Sequence, residues 1–115
     1  MSRENLNRIA TRRRTYAPVF AALGDQTRLS LVAELCQGGP RSISQLTRSH
    51  RVSRQAITKH LRVLENAGIV RSVRSGRESL FEFHPGTMMD LRAYLDFVSR
   101  QWDQVLSRLK SFVER

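Results

Sequence analysis

Residues 53–68, with the sequence SRQAITKHLRVLENAG, contain the clearest structural pattern in the chain. The stretch begins with Ser53, a residue type that caps helix N termini, and ends with Gly68, which suits the left-handed conformation that follows a helix. Between them, three apolar residues recur at the spacing of one helical face: Ile57, Leu61 and Leu64. The pattern predicts an amphipathic helix over residues 53–67.

The residues just before this helix predict a second, shorter one. Residues 42–49 are typical of a short strand entry followed by one helical turn, with Ile43 and Leu46 facing the core. A polar connection of four residues, 49–52, then leads into the helix at 53–67. Two helices joined by so short a turn form a helix-turn-helix.

Two further helices are predicted upstream. Residues 16–23 are apolar-rich and end at Gly24, while Asp25 is placed to cap a helix over residues 26–37. In the helix at 26–37, four residues at helical spacing are expected to face the core: Leu29, Val32, Leu35 and Cys36.

A β-hairpin is predicted after Gly68. The strand-like runs 69–73 and 80–83 are separated by a basic turn, residues 74–79, that contains a glycine. A hairpin in this place is the wing, taken as residues 70–83. The predicted fold class is therefore mainly α with a small β-hairpin wing, a winged helix-turn-helix.

A long helix is predicted from Pro85 to about Val113. Its apolar residues alternate in steps of four and three, the heptad spacing of a helix that packs on another helix: Leu91, Leu95, Val98, Trp102, Val105, Leu109 and Phe112. Because this stripe is longer than a small domain can cover, we expect a second subunit to bury part of it, with packing on the chain's own N-terminal helix as the alternative. The predicted interface residues on this helix are Leu91, Leu95, Val98, Trp102, Val105 and Leu109.

The charge pattern predicts a polyanionic partner. The net charge is +10, and residues 41–77 hold nine basic residues against the single acid Glu65. Residues 86–115 are close to neutral, with five basic and four acidic residues. Clustered cations gain free energy by displacing counterions from phosphate, so the middle of the chain is the expected binding surface.

The outer face of the helix at 53–67 carries the side chains expected to contact DNA. Arginine, lysine, glutamine and threonine can donate to base edges or phosphates, and Arg74 and Arg77 flank the tip of the wing. Two interpretations of His60 are open, a phosphate contact or a histidine at the core edge, and Arg71 is a weaker candidate at the wing base. The predicted DNA-binding residues are Ser53, Arg54, Gln55, Thr58, Lys59, His60, Arg62, Arg74 and Arg77.

Residues 1–15 are polar and basic and form a predicted N-terminal arm, with the DNA-binding and dimerisation domain at 16–115. The arm is either disordered until bound or the frayed start of a helix, and it either follows a DNA groove or is a solvated terminus. Cys36 is the only cysteine and is expected to be buried as a small hydrophobe, a redox switch being the alternative. No signal peptide or membrane span is evident, which predicts a cytoplasmic protein with no membrane partner.

Three stretches together resemble the ArsR/SmtB family of dimeric winged-helix repressors: residues 22–29, residues 52–70 and the turn at 74–77. The resemblance covers roughly residues 16–113. It implies a homodimer built from the first and last helices, which adds Tyr16 and Phe20 to the predicted interface. Two recognition helices then enter successive major grooves of an imperfect palindromic operator. The expected function is that of an operator-binding repressor, autoregulation included.

The sequence departs from the metal-sensing members of that family. Those members use a cysteine-rich motif in the helix before the recognition helix, or His and carboxylate pairs on the last helix. Here residues 42–47 have neither thiol nor imidazole, and the last helix has no histidine. Since soft and borderline metals prefer such ligands, we predict no metal and no other cofactor, and the small-molecule effector is unknown.

Two other classes of function remain to be weighed. A non-specific RNA-binding or nucleoid-associated module would fit the charge, but RNA readers display stacking aromatic residues, and the phenylalanines here occupy core-like positions. No glycine-rich phosphate loop, nucleophile elbow or metal triad is present, so the chain is predicted not to be an enzyme.

Overall fold

A computed structural model describes the backbone of residues 3–114 and the side chains of residues 13–114. Its elements follow one another in the order α1 (Arg3–Leu23), α2 (Gln26–Gly38), β1 (Arg41–Ser42), α3 (Ile43–Ser49), α4 (Arg54–Asn66), β2 (Val70–Ser75), β3 (Glu78–Phe83) and α5 (Pro85–Val113). The predicted fold class is confirmed: α3 and α4 form the helix-turn-helix, and β2 and β3 form the wing. No helix in the described part of the chain has the apolar length needed to cross a bilayer.

Hydrogen bonds to side chains fix where the helices begin. The Ser53 hydroxyl accepts from the backbone N–H of Ala56 at 3.1 Å, which confirms the predicted cap of α4. Ser42 and Gln45 form a reciprocal capping box at the start of α3. After α4, Gly68 adopts a φ of 77°, a conformation that favours glycine.

The core lies between α4, the sheet and helices α2 and α3. Among its members are seven side chains that are almost completely buried: Leu31, Leu46, Ile57, Leu61, Leu64, Ile69 and Val70. The three predicted core residues of α4 are in this set, so its inner face is confirmed. Because that face is fixed, the opposite face of α4 points outward.

The sheet has the order β1-β3-β2, with both pairs antiparallel. The wing strands run further toward the tip than predicted, because cross-strand pairing continues through Arg74 with Ser79 and Ser75 with Glu78. The turn is therefore reduced to Gly76 and Arg77, with Gly76 at a φ of 62°. The strand residues near the tip are polar on both faces of the sheet, so they show no alternation of apolar and polar residues from which a strand could be predicted.

The predicted inner face of α2 is wrong in part. Leu29 is 53% exposed and Cys36 is exposed, whereas Leu31 is fully buried together with Val32 and Leu35. The expectation that Cys36 is a buried hydrophobe is therefore incorrect. Apolar residues lie on nearly every side of α2, so the helical period alone fits two faces rotated relative to each other.

Helix α1 is longer than the predicted helix at 16–23, since it begins at Arg3 and includes Pro18. Most of residues 1–15 therefore form the start of this helix, although the side chains of residues 1–12 lie outside those described. The division into an arm at 1–15 and a domain at 16–115 stays a prediction.

Candidate nucleic-acid interface

The outer face of α4 carries the polar side chains predicted to meet DNA. Arg54, Gln55, Lys59 and Arg62 are exposed there. Thr58 is half-buried, and its hydroxyl donates to the backbone carbonyl of Arg54 at 2.8 Å. The hydroxyl hydrogen of Thr58 is thus used within the helix, which leaves the oxygen lone pairs and the methyl group for an external contact.

The side chains of Ser53 and His60 make contacts within the protein. The Ser53 hydroxyl oxygen is occupied by the cap of α4. His60 lies at the flank of α4 with its Nδ1 3.2 Å from the Arg28 Nη1 and 3.8 Å from the Asp25 Oδ2, and its side chain is 22% exposed. Of the two interpretations of His60, this geometry favours the core-edge histidine.

Asp25 and Arg28 connect this flank of α4 to the ends of α1 and α2. Asp25 caps α2 by accepting from the Arg28 backbone N–H at 3.0 Å, and the Arg28 Nε donates to the Ala22 carbonyl at 2.5 Å. The backbone N–H of Arg28 lowers the pKa of the Asp25 carboxyl below its ordinary value of 3.8, and the charge of the Arg28 guanidinium acts in the same direction. Three helices are therefore joined by one polar cluster.

The wing presents two of its three arginines without an internal partner. Arg71 forms an ion pair with Glu82 on the neighbouring strand, with 2.6 Å between Nε and Oε1. Among the described residues, Arg74 and Arg77 make no side-chain hydrogen bond or ion pair, and the same holds for the exposed Gln55, Lys59 and Arg62 on α4. The donors of the α4 face and the wing tip are thus available for an external acceptor.

A groove of about 240 Å³ lies between the wing and the starts of α3 and α4. Its lining includes Arg54 and Arg77, and the Arg54 Nη1 donates to the Ser44 hydroxyl across it at 3.2 Å. The other lining residues are Ser42, Ile43, Glu78 and Ser79. Sequence reasoning missed Ser44, Glu78 and Ser79, because only the pairing of β1 with β3 brings them together.

A second surface, exposed and apolar, runs along α5. Leu95, Trp102, Val105 and Leu109 are between 41% and 61% exposed, and every residue from 99 to 114 is exposed. The apolar face also includes three exposed residues outside the predicted interface set: Leu106, Phe112 and Val113.

The other four predicted interface residues differ in how far they are buried within their own chain. Leu91 is only 3% exposed and packs in the core of its own chain, so its assignment to an exposed interface is incorrect. Tyr16 and Phe20 of α1 contact the Tyr94 ring, with centroid distances of 5.1 and 6.2 Å. Val98 is half-buried. The first part of α5 thus packs on α1, and the remainder keeps its apolar face open.

A helix-turn-helix followed by a hairpin wing, with unpaired cations on the second helix and the wing tip, defines a winged helix-turn-helix DNA-binding protein. The family described as bacterial regulatory protein, arsR family, matches residues 25–72, which extend from the cap of α2 into the wing.

Known proteins that are similar to this chain include two bacterial regulators and one solved structure. The HTH-type transcriptional regulator Rv2034 of Mycobacterium tuberculosis is 32% identical over 95 residues, covering 83% of this chain and 85% of that protein. The arsenical resistance operon repressor of Bacillus subtilis is 32% identical over 71 residues, which are 62% of this chain and 68% of the repressor. The solved structure of an ArsR-like transcriptional regulator from Rhodococcus sp. RHA1 superimposes with a TM-score of 0.75 at 36% identity, covering 86% of this chain and 92% of that one.

The chain belongs to the ArsR family of bacterial transcriptional regulators. The predicted family resemblance is confirmed. Because the family consists of DNA-binding regulators, the prediction that the protein is not an enzyme is confirmed as well.

Proposed function

We propose that this protein is a homodimeric repressor that binds an imperfect palindromic operator. The observation that carries the proposal is the separation of two surfaces on one chain: unpaired cations on α4 and the wing, and an open apolar face along α5. A polyanion fits the first surface and a second copy of the chain fits the second.

The dimer is proposed to form through α1 and α5. Exposed apolar residues at heptad spacing are costly in water, and packing against an equivalent helix removes them from it. A second copy supplies that helix through a two-fold axis, which closes the assembly at two chains. The rings of Tyr16, Phe20 and Tyr94 support the face by holding α1 against the first part of α5.

DNA is proposed to meet α4 in the major groove and the wing beside it. Gln55 is suited to pair with an adenine edge, while Lys59 and Arg62 can donate to guanine or phosphate. Arg74 and Arg77 would reach the adjacent backbone or minor groove. A two-fold dimer presents two such units, so the favoured site is two half-sites about one helical turn, 10–10.5 base pairs, apart.

The repressor role rests on a relative and on geometry. The similar protein of Bacillus subtilis is named as an operon repressor. A dimer that covers successive major grooves of a promoter excludes other proteins from the same DNA. We propose this mode of action for the present chain, with its own operon among the regulated genes.

The proposal is tested by selecting genomic fragments on the purified protein and measuring binding to the enriched site. We expect tight binding to that duplex, weaker binding to a scrambled duplex, and a logarithmic salt slope corresponding to about 5–10 phosphate contacts. Duplex RNA of the same length should bind much more weakly. Equal affinity for the selected and scrambled duplexes at moderate salt would contradict specific operator binding.

A further inference from the structure

We propose that the groove between α4 and the wing binds one phosphodiester of the operator, and that Arg54 and Arg77 hold this single phosphate together. The proposal rests on the proposed operator binding and specifies what one part of that surface contacts. Arg54 is the first residue of α4 and Arg77 lies in the turn of the wing, yet both line the same space of about 240 Å³.

The groove has the chemistry of a phosphate site. Guanidinium groups are planar donors that match the oxygens of a phosphate, and the hydroxyls of Ser42, Ser44 and Ser79 supply neutral donors beside them. The Ser44 hydroxyl already accepts from the Arg54 Nη1, so its own hydrogen is free to point into the groove. The groove of about 240 Å³ is open to solvent on one side, so a phosphate that remains part of a DNA backbone can enter it.

The position of the groove favours the DNA backbone over a free anion. It opens between the recognition helix and the wing, the two elements proposed to straddle a strand of the duplex. A phosphodiester that passes between them comes within reach of both arginines. Arg74 lies on the same wing but does not line the groove, so it is expected to contact a different phosphate.

Glu78 opposes this contact from inside the same groove. Glu78 lines the space, and within the described residues its carboxylate forms no ion pair with an arginine. A carboxylate next to a bound phosphate repels it. Glu78 therefore limits the affinity of the groove, and removing its charge is expected to strengthen DNA binding.

The experiment determines which phosphate of the duplex each arginine contacts. Duplexes carrying a neutral methylphosphonate at one backbone position at a time are titrated with the wild type, Arg54→Ala and Arg77→Ala. On the unmodified duplex each substitution is expected to weaken binding about tenfold. At one position per half-site, the same for both variants, the neutral linkage should reduce either effect to about twofold or less. Arg74→Ala is the matched control and keeps its full effect at that position.

The salt dependence gives an independent count of phosphates. The double variant Arg54→Ala/Arg77→Ala should lower the magnitude of the logarithmic salt slope by about 0.9, the value for one phosphate, rather than by about 1.8. Glu78→Gln should bind several-fold more tightly than the wild type. Thermal unfolding of each variant verifies that these changes are not losses of folded protein.

Several results would overturn the proposal. If the effects of Arg54→Ala and Arg77→Ala on affinity disappear at different methylphosphonate positions, the two arginines bind separate phosphates. A change of about 1.8 in the salt slope of the double variant would mean the same. A further comparison replaces chloride by inorganic phosphate at equal ionic strength, and the effect of Arg54→Ala on duplex binding should not change. If phosphate instead weakens duplex binding by the wild type but not by Arg54→Ala, the groove binds the free anion. If the wild type binds no duplex, the proposed function fails, whereas specific binding with uncoupled arginines refutes the shared phosphate alone.

Discussion

Truncation of Trp102 on α5 should dissociate the proposed dimer. The side chain is 61% exposed in one chain, and a tryptophan presents up to about 250 Å², so on the order of 150 Å² is open to a partner. Burial at about 25 cal/mol per Å² corresponds to roughly 4 kcal/mol, of which alanine would keep about a quarter. The two-fold axis doubles this loss of burial free energy, because both chains carry the substitution, but buried area overstates binding free energy. We therefore expect Trp102→Ala to raise the dimer dissociation constant at least about a hundredfold.

Sedimentation equilibrium over a range of protein concentrations measures this constant directly. Met89 offers a matched control, since it is 71% exposed on the same helix but thirteen residues from Trp102, a spacing that puts it on a different face. We expect Met89→Ala to leave the dimer intact. Operator affinity should fall for Trp102→Ala only, because a monomer engages one half-site.

If Trp102→Ala sediments like the wild type, or if Met89→Ala weakens the dimer equally, the Trp102 side chain does not lie in a specific dimer interface. Circular dichroism separates dissociation from unfolding, since the core residues of each chain do not include Trp102. A folded monomer that still bound the whole operator with undiminished affinity would remove the dimer from the mechanism.

The remaining predictions concern base reading, the wing and pH. Gln55→Ala should relax base preference at one position in each half-site, while Arg77→Ala should weaken binding to all sequences about equally. Selection from randomised duplexes measures both effects. If each variant changes the affinity for every sequence by the same factor, Gln55 does not read a base. Gly76→Ala should lower stability by about 1 kcal/mol because φ is 62° there, and an unchanged thermal midpoint would disprove it. Since the folded-state pKa of Asp25 lies below 3.8, its stabilisation is present above that pH and is lost as the pH falls through the folded value. Asp25→Asn should therefore lose less stability in acid than the wild type, as denaturant titrations at each pH would measure.

Residues that act locally made much of the fold predictable from the sequence. Ser53, three apolar residues on one face and Gly68 each specify α4 without help from the rest of the chain, and all of them lie as expected. Helix α5 was predictable for the same reason, because its apolar stripe has a period that only a helix satisfies. The outward face of α4 followed from its inward face.

Features that depend on distant residues were not predictable. The inner face of α2 depends on the elements that pack against it. The apolar spacing fits a face with Leu29 as well as a face with Leu31, and in the structure Leu31 is the buried one. The groove beside the wing depends on the antiparallel register that pairs Ser42 with Leu80. Periodicity carries no information about such a register, so Ser44, Glu78 and Ser79 could not be assigned to a site.

The Arg28 guanidinium links α4 to the end of α1. Its Nε donates to the Ala22 carbonyl at the end of α1, and its Nη1 lies 3.2 Å from the His60 Nδ1 on α4. Because the group is planar and rigid, it spans both helices in one geometry, and the Arg28 backbone that carries it is held at the start of α2 by donating its N–H to the Asp25 carboxylate. A displacement of α1 relative to α4 breaks one of these hydrogen bonds. In the proposed dimer, the packing of α1 and α5 therefore sets the distance between the two recognition helices.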